Sequence, residues 1–258
     1  MKILLFVNDG IEKHYSNNEL RDLTGLVLLN ISKKQFYELL CKDRFANEIL
    51  YPIIVDKFDG TLESAISVLR DKKEEFLDFI STFLKEGESI AFSGVRREYE
   101  NAFENEIVKH DFSSIELARE AARELIPSNL KVDLKNPDVK IKVIAFGRTI
   151  ILAWSILENI WKKRLYRKNV HKAALRPTVA AYLASLGSLN IYDPMCGYGT
   201  IAFEALALKH EIPILTDLSS KELNVIEEKL DITINVKIRE NAPGIIYCSD
   251  ASKKGVEK

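Results

Sequence analysis

The chain opens with an apolar run over residues 2–7 that reads as a buried strand, and Leu26 to Asn30 reads as a second. The polar stretch between them, residues 8–24, predicts a loop or a short helix. Ser32 followed by Gln35 has the form of a capping box and predicts a helix over 33–42. Ile53 to Val55 is a short strand candidate. Leu62 to Leu69 and Phe76 to Leu84 carry apolar residues at helical spacing, with Glu and Lys on the outer face. Phe76, Phe79 and Phe83 share that spacing, which places them in a core.

Ser89 to Val95 predicts a strand that runs into Arg96 and Arg97. Ser113 with Glu116 three residues on is an N-cap with its partner, and it opens a helix that Pro127 ends. Val132 to Leu134 is a strand candidate, and Asn136-Pro137-Asp138 is a turn. Val139 to Ile144 alternates apolar with basic residues and predicts a half-exposed strand. Residues 150–158 form another apolar segment. Beyond Thr178 the pattern is a helix to Leu186, a strand at 189–193, a glycine loop, a helix at 200–209 and a strand at 212–216. A helix at 220–230 and a short strand near Ile245 to Cys248 follow. Such alternation predicts a parallel sheet with right-handed crossovers.

Composition narrows the class. The 258 residues are 47 % hydrophobic and 29 % charged, which excludes collagen-like, disordered and disulfide-scaffold chains. Cys41, Cys196 and Cys248 are far apart, so no zinc ribbon or thioredoxin motif exists, and the odd count suits a reducing cytosol. The most apolar stretch, Thr149 to Leu157, is far short of the ~20 residues that span a bilayer, so a soluble cytoplasmic protein is expected. The four histidines are scattered without metal spacing. Net charge is -1, so any attraction for nucleic acid must be local. The densest basic stretch is Trp161 to Lys172, with Lys162, Lys163, Arg164, Arg167, Lys168 and Lys172. It is the best linker candidate, and Trp161 and Tyr166 add rings that could stack on bases. Arg96, Arg97, Lys109, Lys140 and Lys142 are the other basic candidates, although Glu98, Glu100, Glu104 and Glu106 weaken the field near Arg97.

The sharpest chemistry lies in Asn190-Ile-Tyr-Asp-Pro-Met-Cys-Gly-Tyr-Gly-Thr-Ile-Ala202. Gly197-x-Gly199-x-x-Ala202 falls between a predicted strand and a predicted helix, and Asp217 ends the next strand, twenty residues after Gly197. That is a nucleoside-binding fingerprint: glycines let the backbone approach the ligand, and the second acid accepts hydrogen bonds from two ribose hydroxyls. A glycine turn beside a solvated aspartate is the plainer alternative. Asp193 selects among nucleosides. A carboxylate at the sheet's C-terminal edge repels a pyrophosphate and attracts an ammonium group, which favours S-adenosylmethionine over NAD or ATP.

Ala174-Leu-Arg-Pro-Thr-Val-Ala-Ala181 followed by Asp193-Pro-Met-Cys-Gly-Tyr-Gly-Thr200 resembles the THUMP-associated RNA methyltransferases, which include archaeal and bacterial enzymes that methylate guanine N2 in tRNA or ribosomal RNA. Tyr198 stands where that family usually has Ser, and Arg164-Leu-Tyr-Arg167 is similar to its basic element. Upstream, residues 109–120 and Val132 to Ile141 look like the second half of a THUMP domain. The resemblance implies an α+β N-terminal region, with a ferredoxin-like part at 1–60 and a THUMP RNA-binding domain at 61–160. A basic linker at 161–177 and an incomplete α/β Rossmann-like methyltransferase domain at 178–258 would follow. It further implies that Asp193, Cys196, Gly197, Tyr198, Gly199 and Thr200 line the donor, that Asp217 holds its ribose and that Asp250 contacts its adenine. Cys196 and Cys248 read as apolar packers. The implied partner is the 3′ end of tRNA, and no membrane.

Catalysis in that family uses an Asn/Asp-Pro-Pro-Tyr/Phe loop that positions the target amine. The seven prolines here include no adjacent pair, and the chain stops eight residues after Asp250. No catalytic residue is therefore assigned. The expectation is the first two-thirds of an enzyme, with a homodimer or a second chain completing the sheet. The competing class is a non-catalytic THUMP tRNA-binding protein with a vestigial methyltransferase half. A dehydrogenase is the third, and Asp193 opposes it.

Overall fold

The two apolar runs that open the chain pair with each other. Strand β1 (Lys2–Phe6) lies antiparallel to β2 (Leu26–Asn30), with Leu4 opposite Leu28. The computed structural model describes residues 1–8, 11–20, 25–101, 106–159, 164, 166, 174–187, 192–193, 196–209, 214–217, 235–237 and 244–247. The chain divides into two units, one of residues 1–41 and 48–158, the other of residues 42–47 and 159–258.

In the first unit, α1 (Lys33–Lys42) starts at the expected capping box: the Ser32 N–H donates to Gln35 Oε1 at 2.9 Å, and the Gln35 N–H to Ser32 Oγ at 3.3 Å. Strand β3 (Glu48–Lys57) is ten residues long, against the three expected. The obstacle in the sequence is Pro52, which cannot donate to a sheet ladder. The chain accommodates it with a register shift between Pro52 and Ile54. Helices α2 (Leu62–Asp71) and α3 (Lys73–Ser81) follow, then β4 (Ser89–Arg97) and a small antiparallel pair, β5 (Tyr99–Asn101) with β6 (Glu106–Ile107). Helix α4 (Ser114–Leu125) has both halves of the Ser113–Glu116 capping box. Strands β7 (Lys131–Val132), β8 (Val139–Phe146) and β9 (Thr149–Leu157) complete the unit.

These strands form one seven-stranded sheet in the order β2-β1-β3-β9-β8-β4-β7. Residues 1–60 and 61–160, expected as two parts, both contribute strands to it. It is mixed: β4 runs parallel to β7 and β8, and the other neighbours are antiparallel. One apolar cluster joins Phe76, Leu69 and Leu117 from the helices to Ile54, Ile90, Ile141, Val143 and Leu152 from the strands. A second gathers Leu4, Leu26, Leu50, Ile144, Phe146 and Ile151. Successive strand residues face opposite ways, so the two clusters mark two buried faces. That corrects the half-exposed reading of β8. It sits between β9 and β4, every residue from Ile141 to Phe146 is buried, and Lys142 is buried with them.

The first turn of α4 crosses β4 at Gly94. A methyl group there would lie 1.9 Å from the Ser114 carbonyl oxygen. Only hydrogen fits, and the helix backbone would have to move for anything larger. Gly94→Ala is expected to cost about 1–3 kcal/mol, the usual penalty of overpacking. Urea unfolding checks it, and an unchanged midpoint would refute the close approach.

In the second unit, α5 (Pro177–Leu186) opens with proline at its first position, where the missing N–H costs nothing. Strand β10 (Tyr192–Asp193), α6 (Thr200–Lys209) and β11 (Ile214–Asp217) follow, then β12 (Asn235–Lys237) and β13 (Gly244–Tyr247). The sheet order is β10-β11-β13-β12. β10 and β11 are parallel, as the alternation predicts. The expected third parallel strand is instead antiparallel to β11. The reason is β12, which the sequence reading passed over. β12 and β13 pair antiparallel across residues 238–243, too short a connection for the dozen or more residues of a parallel crossover. The helix expected at 220–230 lies outside the described residues.

Candidate functional site

Parallel strands bring their carboxyl ends to one edge of a sheet, and ligands of open α/β sheets bind there. Tyr192 pairs with Ile214 and Asp193 with Leu215, so Asp193 and, two residues beyond Leu215, Asp217 sit at that edge. Asp193 is buried. The chain then turns through Cys196, Gly197, Tyr198 and Gly199 into α6. Gly197 has φ +51° and Gly199 φ +74°, the left-handed region where a side chain is disfavoured. The Gly199 N–H donates to the Cys196 carbonyl at 2.8 Å, and the Phe203 N–H to the Gly199 carbonyl at 2.9 Å, which closes the turn into the helix.

Glycine serves here for conformation and access. Among the described residues, none has an atom within 4 Å of a methyl added at Gly197. The described residues therefore leave room at this backbone, four residues after a buried carboxylate, which suits a nucleoside with a cationic tail. Cys196 is buried in this turn, with its Sγ 3.8 Å from the Gly197 carbonyl oxygen. Thr200, the first residue of α6, is buried too, and Tyr198 is half-buried. Asp250 and Cys248 lie outside the described residues. Among the described residues no group of His, Cys, Asp and Glu could hold a metal ion, and no helix is long and apolar enough to cross a membrane.

The basic candidates separate. Arg96 Nη1 donates to the Phe112 carbonyl at 2.8 Å and pairs with Glu98 at 3.1 Å. The Arg97 guanidinium lies 5.5 Å from the Phe146 ring centre. Lys140 pairs with Glu158 at 2.7 Å. Lys142 is buried against Glu48 and Glu158. Lys109 is exposed. Lys162, Lys163, Arg167, Lys168 and Lys172 lie outside the described residues. His110 is buried. It stacks on Phe112 at 5.1 Å, and its Nε2–H donates to the Gly147 carbonyl at 2.8 Å.

The second unit also contains a charge cluster that the sequence reading missed. Glu204, in α6, is fully buried. Its carboxylate pairs with Arg44 Nε at 2.5 Å and Arg164 Nε at 3.2 Å, and accepts from the Tyr166 hydroxyl at 2.5 Å. Arg164 Nη2 donates to the Arg44 carbonyl at 3.2 Å. Tyr166 lies flat on Phe203, ring centres 4.8 Å apart. Burial first, then the Glu204 charge, push the Tyr166 phenol far above its ordinary value, so it stays a donor. The available signal was a lone carboxylate in the otherwise apolar Ile-Ala-Phe-Glu-Ala-Leu-Ala stretch; a helix apolar on all sides is a buried helix.

Residues 164–258 match the RMKL-like methyltransferase domain family, UPF0020. A tRNA (guanine(6)-N2)-methyltransferase of Archaeoglobus fulgidus is 29 % identical over 189 residues, 66 % of this chain and 46 % of that protein. The chain thus spans under half the length of this relative. TrmN from Thermus thermophilus shares the fold, with a TM-score of 0.61 at 20 % identity over 88 % of this chain and 68 % of that one. SMU.472, solved in complex with SAH, has a TM-score of 0.53 at 16 % identity, over 89 % of this chain and 64 % of that one.

Proposed function

We propose that this chain carries the donor-binding part of an RNA methyltransferase that uses S-adenosylmethionine, with guanine N2 of tRNA as the acceptor. The observation that carries the reading is the glycine turn: Gly197 and Gly199 are both left-handed, Gly197 has no described neighbour over its Cα, and the turn follows buried Asp193, whose parallel neighbour strand ends at Asp217. The match of residues 164–258 to a methyltransferase domain supports it, as do the name of the archaeal relative and the SAH in a structure of the same fold.

In this reading Asp193 attracts the donor's ammonium group, and the loop of Cys196, Gly197, Tyr198, Gly199 and Thr200 lies along its amino acid and ribose. Asp217 accepts from the ribose hydroxyls, and Asp250 meets the adenine amine. The donor, when bound, supplies a methyl on a sulfonium centre. The protein's share is to hold that centre in line with an incoming nitrogen. Residues 61–160 act as the THUMP part and, with the basic 162–172 stretch, hold the RNA by its phosphates.

Calorimetric titration with S-adenosylmethionine tests the donor reading, and NADH serves as the control. Binding of the first alone is expected; no heat at millimolar donor would end the proposal. Gly197→Ala sharpens the test. A left-handed alanine costs about 1–2 kcal/mol, with no steric clash to add. The fold is expected to survive while donor affinity falls at least tenfold, because the new methyl occupies the open space. Binding of tRNA is expected to weaken steeply with salt, as phosphate contacts require. Salt-independent binding would remove the RNA assignment.

A further inference from the structure

Residues 42–47 leave the first unit's sequence and belong to the second. They form a self-contained turn. Asp43 Oδ1 accepts from the N–H groups of Phe45 at 2.8 Å and Ala46 at 3.2 Å, and both Phe45 and Ala46 are buried. From this turn Arg44 reaches Glu204 in α6. Asn47 Oδ1 accepts from the hydroxyl of Thr178, a fully buried residue in the first turn of α5. Six residues thus engage α5 and α6, the two described α-helices of the unit. Glu204 lies one turn past Thr200, where the glycine loop becomes α6.

A fully buried carboxylate is costly unless it is paired and hydrogen-bonded. Here Arg44 supplies one of its two guanidinium partners. Removing that partner leaves a buried charge short of compensation, and the response falls on the first turns of α6 and on the loop anchored to it.

We infer that Arg44 and Glu204 are positioning residues of the donor site, so that the segment 42–47 is a working part of the methyltransferase unit although it lies more than a hundred residues upstream. The inference rests on the reading of the 196–200 turn as the donor loop.

The test uses the full chain with Arg44→Met, Arg44→Lys and Glu204→Gln, read by S-adenosylmethionine titration and by amide hydrogen exchange of residues 177–186 and 200–209. Arg44→Met is expected to weaken the donor at least tenfold and to raise exchange in α6. Arg44→Lys, which keeps the charge, is expected to recover affinity to within about threefold. Glu204→Gln combined with Arg44→Met is expected to be no worse than the poorer single variant. Donor affinity of Arg44→Met within twofold of the unaltered chain overturns the inference, as does Arg44→Lys being as damaging as Arg44→Met. If the unaltered chain binds no donor, the donor reading fails by itself. Hydrogen exchange then decides the clamp, and unchanged exchange in α6 overturns it. If Arg44→Met does not fold, Tyr166→Phe keeps the ring on Phe203 and removes only the hydroxyl. A three- to tenfold loss of affinity is then expected, and no loss overturns the proposal.

Discussion

Asp217→Ala is expected to weaken S-adenosylmethionine binding by about two orders of magnitude while leaving the thermal midpoint almost unchanged. The argument starts from the backbone. Asp217 ends β11, and β11 is the parallel neighbour of β10, so the residue lies at the edge where the glycine turn begins. A carboxylate there can accept from both hydroxyls of a ribose. Hydrogen bonds to a charged group contribute about 1.5–3 kcal/mol each, and every 1.4 kcal/mol is about tenfold in affinity. Losing two, with some recovered from water, is worth about 3 kcal/mol. Asp217→Asn keeps one acceptor and is expected to fall between. Calorimetry decides: a variant that binds as tightly as the unaltered chain removes Asp217 from the site, and with it half of the fingerprint.

Local signals were read well from the sequence where a side chain answers a backbone need. The capping boxes at Ser32 and Ser113 are both formed, because each satisfies helix N–H groups that have no other partner. The glycine turn was equally legible, since left-handed backbone selects glycine at 197 and 199. What remained hidden depends on tertiary neighbours. Pro52 masked a ten-residue strand because the register shift that admits it belongs to the pairing with β9. The alternation of β8 read as half-exposed because nothing local says that Glu48 and Glu158 neutralise Lys142. β12 is three residues, Asn-Val-Lys, without strand character until β13 pairs with it. The segment 42–47 is of mixed polarity and fits no period, so its docking to α5 and α6 left no trace in the pattern.

Lys142 carries the largest effect expected on stability. Its ammonium pairs with Glu48 and with Glu158, the latter at 3.3 Å, and lies 5.6 Å from the Phe6 ring centre. Glu48 opens β3 and Glu158 follows β9, so one buried cation holds the two places where the chain passes between its units. Taking one partner from a buried ion pair costs about 3–5 kcal/mol, because the remaining charges lose compensation in a poorly solvated site. Both carboxylates keep some contact with water, and Lys140 still pairs with Glu158, so Lys142→Ala is expected at the lower end, about 3 kcal/mol. The pH dependence carries a sign that separates this from simple loss of packing. Burial raises the Glu158 pKa, but the Lys140 hydrogen bond and the Lys142 charge outweigh it and hold the carboxyl below its ordinary value of 4.5. The group therefore stabilises the folded chain above pH 4.5, and that contribution is lost as the pH falls through its lowered folded value. In Lys142→Ala two carboxylates face each other without the shared cation, and like charges disfavour ionisation. Protonating either one relieves that repulsion, so acid now helps the variant where in the unaltered chain it removes attraction. Urea unfolding between pH 3.5 and 7 is expected to show the difference between the two proteins shrinking as the pH falls. A constant difference, or a cost below about 1 kcal/mol, would mean that the lysine stem packs and its charge contributes nothing.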